Sequence, residues 1–216
     1  MIIYSSNNVL KVKDIKPIDT VQDYLDALDM YLKSEPLPCE ECRNNCCKRS
    51  GWSIAIDNVY FLKKVNNSSY NMDKFFKREC FQISKSETSM PHYSIKHPFK
   101  SSCKDLNGLN QCNIYKNRPL ICRTYTCIKK DDKLELMSNL IGETAKYAFS
   151  YNYVYLKTGE IFFKELYEEN PFYNKYDYNL LIKDVLKYAS TVYKNSILDE
   201  ESFYLKELLK DFEINN

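Results

Sequence analysis

Glycine and histidine are scarce in this chain: four of the first and two of the second in 216 residues. A phosphate-cradling loop or a dinucleotide fingerprint needs several glycines at fixed offsets. Neither pattern occurs, and there is no hydrolase triad and no internal repeat. With only 7 prolines beside those glycines, and with 44% hydrophobic and 28% charged residues, long disordered tracts are not expected and a globular core is. No apolar run approaches the roughly 18 residues of a membrane span. The opening MIIYSSNNVLKVKD has no basic stretch leading into an apolar one, so it is not a secretory signal. The expectation is a cytoplasmic protein with no membrane partner, in a compartment that keeps thiols reduced.

Charge excludes a further class. The net charge is +2, from 31 basic and 29 acidic residues, which argues against a nucleic-acid partner. The balance is uneven along the chain: 4 basic and 6 acidic residues in 1–38, 17 and 7 in 39–130, and 10 and 16 in 131–216. A basic middle segment suits a phosphate or an acidic partner. It also suits metal-bound thiolates, since two four-thiolate centres together carry about −4. The 19 tyrosines, with the many lysines, asparagines and isoleucines, read as a codon bias rather than as a binding device.

What is abundant is cysteine, and it is clustered. Eight of the nine cysteines fall in two blocks, Cys39, Cys42, Cys46 and Cys47, then Cys103, Cys112, Cys122 and Cys127, about 55 residues apart. Cysteines scattered as small buried hydrophobes do not cluster in this way, so metal ligation or disulfides are called for. A reducing compartment favours metal. A C-x2-C step such as Cys39–Cys42 lets two sulfurs reach one metal or cluster. Adjacent side chains diverge, so Cys46 and Cys47 serve different centres, or one ligates and the other is either a thiol supporting the ligands from behind or a reactive thiol. Cys80, outside the blocks, reads as a small buried hydrophobe. His92 and His97 are alternative fourth ligands for a three-cysteine site.

The remaining chain reads as mainly α with small β-hairpins, an α+β fold with an irregular cysteine-rich core flanked by helices. Three regions are expected: an N-terminal helix packing on the core in 1–38, the metal-binding domain in 39–130, and an acidic, Tyr-rich, mostly helical region in 131–216. From Pro17 to about Lys33, Val21, Tyr24, Leu25, Leu28, Tyr31 and Leu32 make one apolar stripe, with Asp19, Asp23, Asp26 and Asp29 on a solvated face. Gly51–Ile56 is a strand candidate and Asp57 an N-cap for the helix that follows. Met72–Phe81, Leu134–Ser150, Asn179–Tyr188 and Ser202–Phe212 read as helices, and Tyr151–Leu156 with Glu160–Phe163 as a strand pair.

In the second block, Asn107-Gly108 is a type I′ hairpin signal. Counting outwards places Cys103 opposite Cys112, with Cβ atoms about 4.5–5.5 Å apart. That spacing suits two ligands of one centre and also permits a disulfide. Pro119 fits the first turn of a short helix, which puts Cys122 near its end and Cys127 in the loop beyond. Arg118 and Arg123 flank these thiols, either to tune a cluster or bind an anion, or as structural ion pairs.

The pattern C-x2-C-x3-C-C, a lone Cys, then C-x-I-Y-x2-R-P-x2-C-R-x-Y-x-C closely resembles the YkgJ-type cysteine-cluster family, also described as the CxxCxxCC putative zinc- or iron-chelating domain. The resemblance rests on Cys39, Cys42, Cys46, Cys47, Cys103, Cys112, Tyr115, Arg118, Pro119, Cys122, Arg123 and Cys127. Three residues separate Cys42 from Cys46, where the family's name implies two. Flagellin lysine-N-methylases carry a similar cluster, for which a four-iron centre is implicated. The resemblance implies that the eight clustered cysteines bind a 4Fe–4S iron–sulfur cluster or, alternatively, zinc. An iron–sulfur protein would modify a protein or peptide substrate or carry out a redox step, with Tyr115, Arg118 and Arg123 as candidates for positioning the substrate. A zinc protein would be an interaction module.

Overall fold

The structure, a computed structural model, describes residues 1–35, 54–66, 72–84, 92–95, 103, 105, 107, 112–158, 168–192 and 199–213. The fold is mainly α with small sheets, as expected. Its first element is a hairpin that sequence reasoning missed. Strand β1 (Ile2–Ser6) pairs antiparallel with β2 (Val9–Lys13), Ser6 facing Val9 across a two-residue turn. Asn7 and Asn8 have φ of 53° and 59°, the doubly left-handed backbone of a type I′ turn. Ile3 and Leu10 point into the core.

Helix α1 (Val21–Ser34) follows from its stripe. Val21, Tyr24, Leu25 and Leu28 are at most 1% exposed, and each such burial contributes roughly 1.5–3 kcal/mol. Thr20 caps it: Thr20 Oγ1 accepts the Asp23 N–H at 3.1 Å and Asp23 Oδ2 accepts the Thr20 N–H at 2.8 Å. The Thr20 N–H, with the Thr20 hydroxyl donating to the same oxygen at 2.7 Å, holds the Asp23 carboxyl below the usual carboxylate range. The remaining first-turn donors, which a helix cannot satisfy itself, reach a distant segment: Val21 N–H meets Leu180 O at 2.8 Å and Gln22 N–H meets Tyr178 O at 2.9 Å.

Strand β3 (Ile54–Ala55), within the predicted strand, leads into α2 (Asn58–Asn66), capped by Asp57 as its position implies. Helix α3 (Met72–Glu79) ends earlier than its apolar pattern predicts, and Cys80 opens strand β4 (Cys80–Ser84). With β5 (His92–Ile95) these form a sheet of order β3-β5-β4, Cys80 facing Ile95. Cys80 is nevertheless buried, at 4% exposed, in a cluster with Tyr60, Phe61, Phe75 and Phe149. His92 lies in β5; His97 and residues 160–163 lie outside the described residues.

After a 3₁₀ turn (Tyr115–Asn117) come helix α4 (Leu120–Thr124) and strand β6 (Lys129–Lys130). β6 pairs parallel with β2, completing the first sheet in the order β1-β2-β6. The long helix α5 (Asp132–Thr158) is the spine, packed against α2, α6 (Ile182–Val192) and α7 (Asp199–Glu213). It corrects one expectation: Tyr151–Leu156 is helix, not strand. Tyr151, Tyr153 and Tyr155 alternate as in a strand, but Ala145, Ala148, Phe149 and Asn152 bury one helical face. The last of these is polar, so a hydrophobicity pattern does not register it. Its Nδ2 donates to Asn58 Oδ1 at 2.5 Å, and Asn58 Nδ2 donates to Phe172 O at 2.7 Å. Among the described residues no helix is long and apolar enough to cross a membrane.

Candidate metal centre

The first cysteine block, Cys39, Cys42, Cys46 and Cys47, lies outside the described residues. The second block is described at its four thiols. Cys103, Cys112 and Cys122 are half-buried and Cys127 is exposed. Cys103 and Cys112 carry free thiols, not the disulfide that a facing pair permits. Burial pushes the Cys103 thiol up, and the charges of Asp105 and Cys112 push it further, so these groups sit within electrostatic reach of one another.

The register that places them together is not that of the predicted hairpin. Asp105 lies in a turn, and its carbonyl accepts the Asn113 N–H at 2.8 Å. Counting from Asn107-Gly108 pairs Asp105 with Asn110 and turns the Asp105 carbonyl away from the partner strand. That bond joins Asp105 to Asn113, at the threshold of the 3₁₀ turn, and residues 104, 106 and 108–111 of the predicted hairpin lie outside the described residues.

Cys122 sits on α4, whose position Pro119 signals correctly. Five residues are too few for a helix to persist alone, and α4 is held from outside. Leu120 is 1% exposed in the core, and its N–H donates to Asp57 Oδ2 at 2.7 Å. Asp57 is 3% exposed. Its Oδ1 accepts the Tyr60 N–H at 2.9 Å and the Tyr178 hydroxyl at 3.0 Å. Burial pushes its carboxyl up, against the pull of these three donors. One carboxylate thus caps α2 and α4 together.

Tyr178 is a residue that sequence reasoning missed, because nothing near it in the chain marks it. Its carbonyl caps α1, its hydroxyl holds Asp57, and its ring lies 5.5 Å from the Arg123 guanidinium. Its hydroxyl is held well above the usual tyrosine range, first by burial and then by the charge of Asp57, with Cys122 adding to both.

Arg118 and Arg123 converge on α1. Arg123, 7% exposed, places Nη2 3.6 Å from Asp29 Oδ2 and 3.9 Å from Asp26 Oδ1. Arg118 Nη2 is 3.9 Å from Asp29 Oδ1, while its Nε donates to Tyr115 O at 2.9 Å and its guanidinium lies 3.8 Å over the Tyr115 ring. The two arginines therefore hold α4 to α1, and Asp29 is a partner rather than part of a solvated face. Tyr115 and Ile121 keep 43% and 44% of their surface exposed.

Cys127 lies on the wall of a cavity of about 480 Å³ between α4, the Tyr125–Lys130 segment and one face of α5. On that face, Glu135, Ser138, Asn139, Gly142, Glu143 and Lys146 recur at helical spacing. Lys130 Nζ donates to Thr124 O at 2.8 Å and to Ser138 Oγ at 3.1 Å. Ser138 donates to Leu134 O at 2.7 Å, so its other lone pair takes the Tyr24 hydroxyl, also 2.7 Å away. Burial brings Lys130 down to about 8, the nearby Glu135 opposing it, and raises Tyr24 to about 12.

The donor set fits a thiophilic metal: the blocks supply thiols almost exclusively, and soft thiolates select zinc and iron–sulfur centres. Among the described residues no three His, Cys, Asp or Glu side chains group closely enough to hold an ion. Residues 38–139 match the family model described as CxxCxxCC: Putative zinc- or iron-chelating domain. No curated protein and no solved structure matches the chain.

Proposed function

From the match of residues 38–139 to the model of a zinc- or iron-chelating domain, we propose that the chain is an iron–sulfur protein in which thiolates of both blocks hold at least one 4Fe–4S cluster. The ligands in this reading are Cys39, Cys42, Cys46, Cys47, Cys103, Cys112, Cys122 and Cys127. Its role is a redox step or the modification of a protein or peptide. When bound, such a cluster supplies electron transfer or a Lewis-acidic iron.

The observation that carries this reading is the cavity beside Cys127. Structural zinc sites with four cysteines are closed and have no use for an adjoining chamber. A centre that meets a small molecule needs one. Around it, this chain's own residues position and exclude. Asp57 fixes the helix bearing Cys122, while Arg118 and Arg123 clamp that helix to α1. This makes the two arginines positioning residues.

Zinc is the second reading, favoured by the same clamps: with Arg118 and Arg123 engaged by Asp29, the region is built as a scaffold would be. Anaerobic purification with a visible spectrum and metal and acid-labile sulfide assays decides between them. About four irons and four sulfides per chain, or twice that, support the cluster. One or two zincs without sulfide overturn it in favour of the scaffold.

A further inference from the structure

The chamber beside Cys127 contains charges that its own walls do not use. Five lysine and glutamate side chains line it, and besides the exposed Lys129 they make two pairs, of which one is closed: Lys146 Nζ lies 2.6 Å from Glu143 Oε1 and 2.5 Å from its Oε2. The other is open. Lys130 spends two of its three N–H donors on Thr124 O and Ser138 Oγ. Glu135 attracts Lys130 electrostatically, but its carboxylate makes no hydrogen bond to a described residue. An ammonium with a spare donor and a carboxylate with spare acceptors thus share one chamber with apolar wall from Leu120, Ile121 and Ile128.

Gly142 makes the room. It lies inside α5, where glycine weakens a helix relative to alanine. A Cβ built there would meet nothing within 4 Å. Because Ser138, Asn139 and Lys146 flank it at helical spacing on the same lining, that open space is the chamber itself. Packing therefore does not require glycine at this position, and any larger side chain would fill the volume.

We propose that this chamber binds an α-amino acid with an apolar side chain, Lys130 taking its carboxylate, Glu135 its ammonium, and the wall over Gly142 its side chain. A half-buried ammonium and an exposed carboxylate on one lining, beside the apolar Leu120, Ile121 and Ile128, match a zwitterion better than an anion or a cation alone, since an anion would meet only Lys130 and a cation only Glu135. The proposal names the ligand class for the site described under Proposed function and rests on that reading for the metal beside it. The binding itself is measured separately from metal content.

The test is calorimetric titration of the full chain, as purified, with L-phenylalanine, N-acetyl-L-phenylalanine and L-phenylalanine amide, with metal assayed on the same sample. The expected result is that L-phenylalanine binds and that each derivative binds at least tenfold more weakly. Lys130→Gln should erase the preference for the acid over the amide, and Glu135→Gln the preference over the N-acetyl compound. Gly142→Leu should abolish binding while keeping a cooperative thermal transition. Equal binding of the three compounds, undiminished binding to Gly142→Leu, or no heat with any of them at millimolar concentration would overturn the proposal, whatever metal is found. Loss of metal with binding intact would instead overturn the cluster reading alone.

Discussion

Asp57 Oδ2 accepts the Leu120 N–H at 2.7 Å across 63 residues of sequence, joining the start of α2 to the helix that bears Cys122. Replacing Asp57 by alanine leaves that N–H, the Tyr60 N–H and the Tyr178 hydroxyl without their buried acceptor. With roughly 1–3 kcal/mol for each unsatisfied buried group, and some relaxation, the expected loss of stability is about 3 kcal/mol or more. Urea denaturation of Asp57→Ala against the parent checks this. A loss below about 1 kcal/mol would show that the carboxylate is not the link we describe.

The cysteines divide into two groups with opposite expected behaviour. Serine at Cys103, Cys112, Cys122 or Cys127 should lower the metal content of the purified protein. Serine at Cys80 should leave metal content unchanged and lower stability by about 1–2 kcal/mol, because it places a hydroxyl among Phe61, Phe75 and Phe149. Metal assay and thermal denaturation on the five variants separate the groups. Metal loss in Cys80→Ser would move that residue into the centre.

Two aspartates one helical turn apart on α1 should differ in the same way. Asp29 meets both Arg118 and the buried Arg123, and its side chain is 20% exposed. Asp26 meets only Arg123 and is 60% exposed. Removing one member of a buried pair costs about 3–5 kcal/mol, whereas an exposed pair contributes about 0–1 kcal/mol. Asp29→Ala should therefore destabilise by about 3 kcal/mol and Asp26→Ala by less than 1 kcal/mol. Comparable values for the two would refute the clamp.

Lys130 gives a pH signature. Burial lowers it to about 8, while an unfolded chain titrates its lysines near 10.4. Between those values the unfolded state binds the proton that the folded state has released, so stability rises with pH across that window. Below about 8 both states are protonated and the buried ammonium costs its full desolvation. The stability difference between the parent and Lys130→Met should therefore move in the parent's favour between pH 8 and 10, by on the order of 2 kcal/mol. A flat difference over that range would show that Lys130 is solvated.

Features set by neighbours in sequence were legible: the stripe of α1, the cap at Asp57, the short helix after Pro119, and a cysteine pattern that resembles the chelating domain whose family model residues 38–139 match. What failed depended on distance. Period-two tyrosines suggested a strand at 151–156 because the helical face there is completed by Asn152, whose partner is Asn58. The bond between Asp105 and Asn113 departs from the register that Asn107-Gly108 predicts, while the plainer Asn7-Asn8 turn formed a hairpin. Asp29 looked like a surface residue until two arginines reached it. The chamber was invisible for the same reason, since Lys130, Glu135 and Gly142 carry no shared pattern until α5 faces β6.

The parallel pairing of β6 with β2 bears on how a metal would be received. Leu120 is pinned by Asp57 at one end, and Lys129 and Lys130 are pinned against Val9 and Leu10 at the other. Cys122 and Cys127 therefore stand on a short span whose two ends the folded chain already holds. The entropy of closing that span is lost when the hairpin and the helices assemble, not when an ion arrives. A metal engaging these two sulfurs meets a preorganised edge, and the affinity it shows there is that of coordination rather than of folding.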